Sequence, residues 1–302
     1  MIRLIIFNLF SLGLFSCSSL HLPKGAEAVA GESTESSEQA SAVKSSSLPL
    51  EVKLAKSGIR LRLIPSARFT MGRKGQSTGD NQAYRVSLNL FYIGKFEVTQ
   101  AQWKKVMRRN ISTSKADNKP VENVTWKDCQ TFLRRLEALE GFAEGRLALP
   151  TEAQWEYACR AEEGSLSKTQ LKSRAWYYEN SGDSALDERR YSFYNLEKNF
   201  SSTHEVGQKK ANAFGLHDTY GNVFEWCSDW YGVFPKTPRR EDVISNPRGA
   251  ETGTKKVVRG GAWNRRSKDC NSTIRESYKP SVRGNNIGLR VVMYPIVKDK
   301  EF

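Results

Sequence analysis

Apolar and polar positions divide the chain into three stretches. The first is a predominantly apolar run from Leu4 to Phe15. Its twelve residues fall short of the ~20 that a bilayer-spanning helix needs and match the apolar centre of an export signal. The second, Ser18 to Lys56, is rich in Ser, Ala and Glu, has no hydrophobic period and contains no aromatic residue. That composition predicts a disordered tether over 18–57, with the folded part, 58–302, beginning near Gly58. The third stretch carries helix signals. Thr99 and Gln102 form a capping box ahead of Trp103, Val106 and Met107. Thr125 and Asp128 give a weaker version before Cys129, Phe132, Leu133, Leu136 and Leu139, and Thr151 and Gln154 give a third that puts Trp155 and Cys159 on one face. Short strand-like pieces lie at Arg68–Met71, Arg85–Leu90, Tyr92–Phe96, Val257–Arg259 and Leu289–Met293. From Ala161 to Pro247 the pattern is mostly irregular. A stretch of that length inside a compact domain signals function, or an ion that orders it. No internal repeat is present.

Charge and cysteine content sharpen this outline. The net charge is +14 over 302 residues, while residues 1–57 hold five basic and five acidic groups, so the excess lies entirely on the folded part. A basic surface favours anionic partners, either lipid head groups or acidic glycans, and no nucleic-acid-binding motif occurs. The sequence Leu14-Phe15-Ser16-Cys17 resembles the bacterial lipobox. It makes residues 1–17 a lipoprotein signal, Cys17 the lipidated first residue of the mature chain, and the destination the cell envelope, at the outer membrane given Ser18. Cys129, Cys159, Cys227 and Cys270 remain. Export permits disulfides, and four thiols allow three full pairings. Cys129 and Cys159 sit on apolar helix faces, where a thiol acts as a small hydrophobe.

Seven segments then occur in a recognisable order: FTMG from Phe69, YIGKFEVTQAQW from Tyr92, PVENVTW from Pro120, RLALPTEAQWEYA from Arg146, AFGLHDTYGNVFEWCSDWY from Ala213, RGGAW from Arg259 and NNIGLRVV from Asn285. Together they resemble the formylglycine-generating enzyme family, the sulfatase-modifying factor domains, over roughly Leu61 to Val292. The resemblance implies one α+β domain, a C-type-lectin-like variant with little regular secondary structure. Oxidase members of the family hold Cu(I) between two thiolates five residues apart, a soft pair for a soft ion. Here Cys270 takes the second position and Arg265 the first, and a guanidinium does not ligate copper. Ala262, Arg266 and Asp269 depart from the oxidase pattern as well. Copper is therefore not expected. The three histidines, His21, His204 and His217, do not reproduce the cluster that holds iron in the ergothioneine branch, so neither haem nor non-haem iron is expected.

Two site readings stay open on each side. Cys270 is a candidate reactive residue, because Arg265, Arg266 and Lys268 favour a thiolate, or it is a tolerated residue in a structural loop. The turn HDTYGNVFEW resembles the family's calcium site, with the Asp218 side chain, the carbonyls of Gly221 and Val223 and the Glu225 acid as oxygen ligands. In the other reading Asp218 caps a turn and Glu225 pairs with an arginine. Asn180 aligns with a second family calcium site, with Lys198 where an acid is expected. Phe224, Trp226, Trp230 and Tyr231 line a groove or fill a core. The sequence thus predicts a lipid-anchored envelope protein without a copper site that binds another envelope protein or an anionic glycan. The alternative is a divergent oxidase of the formylglycine-generating or pyoverdine-maturation type.

Overall fold

A computed structural model describes residues 20–29, 48–73, 82–235 and 242–297. The expected lipidation site, Cys17, lies outside them. Three helices begin where their capping boxes predict. α1 (Gln100–Met107), α2 (Trp126–Glu140) and α3 (Glu152–Arg160) each show both halves of the reciprocal cap, from Thr99, Thr125 and Thr151. Two short helices follow, α4 (Lys168–Arg174) and α5 (Phe193–Lys198). Among the described residues no helix is long and apolar enough to cross a membrane.

Sheets supply the rest of the framework. The largest has six antiparallel strands in the order Ala26–Ala28, Glu51–Leu54, Arg60–Ile64, Phe91–Gly94, Val292–Met293, Leu147–Ala148. A four-stranded sheet runs Glu276–Tyr278, Lys256–Arg259, Phe224–Trp230, Ile287–Gly288, and its last pair is parallel. Val243–Ser245, Tyr84–Leu88 and Ala67–Met71 make a third sheet. Leu20–His21 pairs antiparallel with Ile296–Val297. The main core lies between the large sheet and helices α1 and α2, where Trp103 and Phe132 stack with ring centroids 5.0 Å apart. This is the expected α+β architecture.

Three expectations need correction. The tether is not structureless throughout: Leu20–His21, Ala26–Ala28 and Glu51–Leu54 are strands, so the fold begins well before Gly58. Its polar composition hid a four-residue alternation in which Val52 and Leu54 are fully buried. Residues 30–47 lie outside the described set. The span from Ala161 to Pro247 is mostly irregular, as expected, but it holds an element the pattern did not show, the seven-residue strand Phe224–Trp230 at the centre of a sheet. That strand is buried on both faces, so it shows no alternation, and buried Glu225 and Asp229 interrupt its apolar run. Finally, Leu289–Met293 is a strand only at Val292–Met293. The four cysteines Cys129, Cys159, Cys227 and Cys270 are all buried and unpaired, so none of the three disulfide pairings is formed.

Candidate functional site

The basic loop from Arg259 to Cys270 is fixed at its start by one buried arginine. Arg259 is fully buried and ion-pairs with Glu152 at 3.0 Å and with Glu156, both on α3. Its Nη1 donates to the carbonyls of Ser272 and Ile274, each at 2.8 Å. Gly261 then turns the chain with φ +81°, and a Cβ there would meet the Cys270 sulfur at 2.5 Å. The loop therefore folds back on Cys270 because that position lacks a side chain. Further along, Trp263 donates from Nε1 to the Asn285 carbonyl at 3.0 Å, and Ser181 Oγ donates to the Trp263 carbonyl at 2.9 Å.

Cys270 is 1% exposed and shares a cluster with Trp155, Cys159, Tyr177, Tyr220 and Cys227. Burial pushes its thiol up to about 12, outweighing a backbone hydrogen bond with Ala262 and the positive charge of Arg265. The thiolate that neighbouring cations were expected to favour is thus disfavoured, since desolvation exceeds their attraction. The environment is that of a small apolar filler, which favours the structural of the two readings of Cys270. Arg265, at the position of the first copper thiolate, donates from Nη2 to the Tyr278 hydroxyl at 3.0 Å and lies 5.3 Å from the Phe224 ring centroid. Arg266 pairs with Asp269 at 3.2 Å, and its guanidinium carbon is 5.4 Å from the centroid of Tyr191.

The turn from Asp218 to Glu225 lies against this loop, joined by the Gly221 N–H, which donates to the Gly260 carbonyl at 2.8 Å. Asp218 and Asn222 both have positive φ, 55° and 53°. Asp218 is buried. Its Oδ2 accepts from the Gly207 N–H at 2.7 Å, while Oδ1 is buried with no hydrogen-bond partner. Burial is the main cause that raises its carboxyl to about 6. Glu225 is differently placed. Its oxygens accept from Arg290 Nε at 3.0 Å, Arg290 Nη2 at 2.7 Å and Trp155 Nε1 at 2.8 Å. Its pairing with an arginine, one of the two readings of the sequence, is therefore present. The Val223 N–H donates to Glu97 Oε1 at 3.1 Å, and Asn222 Nδ2 donates to Glu97 Oε2 at 2.7 Å. Burial, then the charges of Asp218 and Glu225, push the Glu97 carboxyl well above its ordinary range.

Sequence reasoning missed Glu97 and Arg290. Both lie in segments that carried the family resemblance, but nothing in their spacing links them to residues more than 60 positions away. The signal available was chemical: a buried acid in an apolar strand requires a cation, and Arg290 is flanked by apolar Leu289 and Val291. Asn180 does not join this cluster. Its Oδ1 accepts from the Tyr177 N–H at 2.8 Å and its Nδ2 donates to the Ala175 carbonyl at 2.9 Å, so the amide closes its own turn. Lys198 lies over the Tyr194 ring at 4.7 Å. Phe224 and Trp226 are buried core, whereas Trp230 holds the Lys256 ammonium 3.7 Å from its ring centroid.

The chemistry of the donors decides how far a calcium ion fits. Among the described residues, no three of His, Cys, Asp and Glu form a ready metal cluster. Glu97, Asp218 and Glu225 nevertheless face a single buried guanidinium, that of Arg290. Fully ionised, they leave two negative charges uncompensated, and the orphaned Asp218 Oδ1 is a hard oxygen of the type calcium takes. The site fits a hard cation at Asp218 and fits it less at Glu225, whose lone pairs are already engaged.

An α+β domain whose long loops are locked by buried arginine–carboxylate pairs, with a short basic loop folded over its centre, defines a recognisable class. The chain matches the Sulfatase-modifying factor enzyme 1-like domain over residues 53–295, and it belongs to that family. It is similar to Chaperone protein LppX of Paenibacillus barcinonensis, with 31% identity over 242 residues, covering 68% of this chain and 81% of that one. It is also similar to the formylglycine-generating enzyme of Streptomyces coelicolor, with 32% identity over 206 residues, 64% of this chain but 58% of that protein's length. Among solved structures, Treponema denticola variable protein 1 superposes with a TM-score of 0.63 at 28% identity, covering 78% of this chain and 95% of the other. PvdO from Pseudomonas aeruginosa shares the fold with a TM-score of 0.62 at 21% identity, covering 80% and 97%.

Proposed function

We propose that this protein is a binding module of the bacterial envelope, anchored by lipid on Cys17, which holds another envelope protein or an anionic glycan and performs no oxidation itself. The observation that carries this reading is the state of the two copper positions. Arg265 occupies one with a permanent positive charge committed to Tyr278. Cys270 occupies the other as a buried thiol pushed up to about 12. One soft ligand beside a guanidinium gives Cu(I) neither a linear pair nor charge neutralisation. The similarity to a protein named a chaperone supports a role exerted on another protein. The similarity to formylglycine-generating enzymes keeps oxidation as the second reading.

Purified protein should leave a sulfatase-motif peptide unoxidised in the presence of copper, dioxygen and a thiol reductant, as read by peptide mass. Its Cu(I) affinity should equal that of Cys270→Ala, and Arg265→Cys should raise it. Conversion of the peptide cysteine to formylglycine by the wild type would overturn the reading in favour of the oxidase.

We propose in addition a structural calcium ion held chiefly by Asp218. The ion would join distant parts of the chain through the 218–225 turn without taking part in chemistry. A ligand that binds only the native state, at 100 times its dissociation constant, adds ~2.7 kcal/mol of stability. EGTA should therefore lower the melting temperature of the wild type and leave that of Asp218→Ala unchanged. Identical melting of the wild type with and without chelator would remove calcium from the account.

A further inference from the structure

Five large hydrophobic residues are exposed among the described residues, and three of them, Phe193, Tyr194 and Phe200, lie on α5 and directly after its C-terminal cap residue, Asn199. Their exposures are 69%, 61% and 77%. Leu196, on the opposite face, is buried and seats the helix. The helix ends in a paired C-terminal cap: the Phe200 N–H donates to the Glu197 carbonyl at 3.1 Å and the Ser201 N–H to the Leu196 carbonyl at 2.9 Å. The residue between those two bonds must be left-handed, and glycine is the usual choice. Here it is Phe200, with φ +50°. An aromatic side chain therefore stands in a backbone conformation that disfavours it, with its ring in water. Nothing within the fold accounts for that choice.

The patch continues into the candidate site. Tyr191, two residues before the helix, donates from its hydroxyl to the Asn264 carbonyl at 3.0 Å, and the Asn195 amide donates to the Arg190 carbonyl at 2.7 Å. The Arg266 guanidinium faces the Tyr191 ring. Arg190 beside the helix, Lys268 on the loop that Arg266 joins to Tyr191, and Lys198, which lies over the Tyr194 ring at 4.7 Å, make no ion pair among the described residues. Glu197 lies on the helix itself, and Asp187, six residues before it, is paired with Arg189 at 2.7 Å. Exposed rings at the centre, a rim of mixed sign and unpaired cations are the composition of a protein-binding surface. The three cations would also suit an anionic lipid head group, but a peptide can set its acids against the cations and its apolar groups on the rings, which a uniform anionic surface does not do.

Resting on the binding reading above, we infer that α5 and its cap are the docking surface, and that the occupant is an extended segment of another protein that alternates apolar side chains with acidic ones. The apolar groups cover Phe193, Tyr194 and Phe200, and the acids meet Arg190, Lys198 and Lys268.

The test uses the full chain and two short fluorescent peptides, one alternating leucine with aspartate and the other leucine with lysine. Fluorescence anisotropy should give about tenfold or greater preference for the aspartate peptide. The double variant Phe193→Ser, Phe200→Gly should lose about tenfold or more of that affinity. Phe200→Gly alone should weaken binding while leaving the melting temperature unchanged or raised, which a merely structural phenylalanine would not do. Equal affinity for the two peptides, or no binding of either, overturns the inference. Equal binding by wild type and double variant also overturns it, by placing docking elsewhere, but leaves the binding reading standing. Only oxidation of the sulfatase-motif peptide removes that reading. Vesicles of phosphatidylglycerol and phosphatidylcholine provide the remaining arm: vesicle binding that the double variant abolishes, with peptide binding intact, assigns the patch to the membrane and overturns the peptide.

Discussion

Arg290→Met should leave little or no folded protein. The side chain is fully buried and donates to Glu225 and to the carbonyls of Gly94 at 2.7 Å and His217 at 2.8 Å. Removing it strands the Glu225 carboxylate and two carbonyls, and it takes away the cation that Glu97 and Asp218 share. Breaking a buried pair from one side costs about 3–5 kcal/mol, because an uncompensated charge remains. Against a total stability of about 5–15 kcal/mol this is a large fraction. Urea unfolding of the soluble fraction provides the measure, with Arg290→Met, Glu225→Met as the control. If the double variant is no more stable than Arg290→Met, the stranded charge is not the cause.

Gly221→Ala should be nearly as damaging, for a steric reason. Gly221 has φ +75°, and a Cβ there would lie 2.0 Å from the Trp176 carbonyl oxygen. That oxygen accepts from the Asn222 N–H at 2.8 Å, so it cannot withdraw without opening the turn. Forced backbone movement at a constrained position belongs with the severe single substitutions, about 4 kcal/mol or more. Thermal unfolding should show a shift far beyond that of Gly145→Ala, a left-handed glycine with no atom within 4 Å of the added carbon. Equal shifts for the two would mean that conformation, not contact, sets the cost.

These two positions also mark how much was legible in the sequence. The three capping boxes and the apolar faces of α1 to α3 are local signals, and they placed those helices directly. The order of seven short segments placed the fold. What stayed hidden was long-range and charged. Phe224–Trp230 reads as loop because Glu225 and Asp229 interrupt it, and they are tolerated inside only because partners arrive from distant segments. Glu225 meets Arg290 and Trp155, 65 and 70 residues away. Cys270 shows the converse. The sequence displays its basic neighbours, but not the burial that outweighs them. Asn180 shares a residue type with a calcium ligand, and only the two bonds of its amide reveal that it is already occupied. The exposed rings of α5 carried no motif, since exposure is not written in a run of six residues.

The pairing of Leu20–His21 with Ile296–Val297 has a consequence for how an anchored protein would search for its partner. A flexible leash of 40 residues would let the domain tumble over a hemisphere of ~35 Å. With lipid on Cys17 and pairing that starts at Leu20, the covalent reach is three residues, about 10 Å. Were Cys17 lipidated as proposed, such a domain would be moored close to the lipid surface, with far less room to roam and tilt than a long leash allows. Encounter would then approach a two-dimensional problem in which orientation is narrowed before contact, and a partner fixed in the same leaflet would meet much the same side of the molecule on each approach.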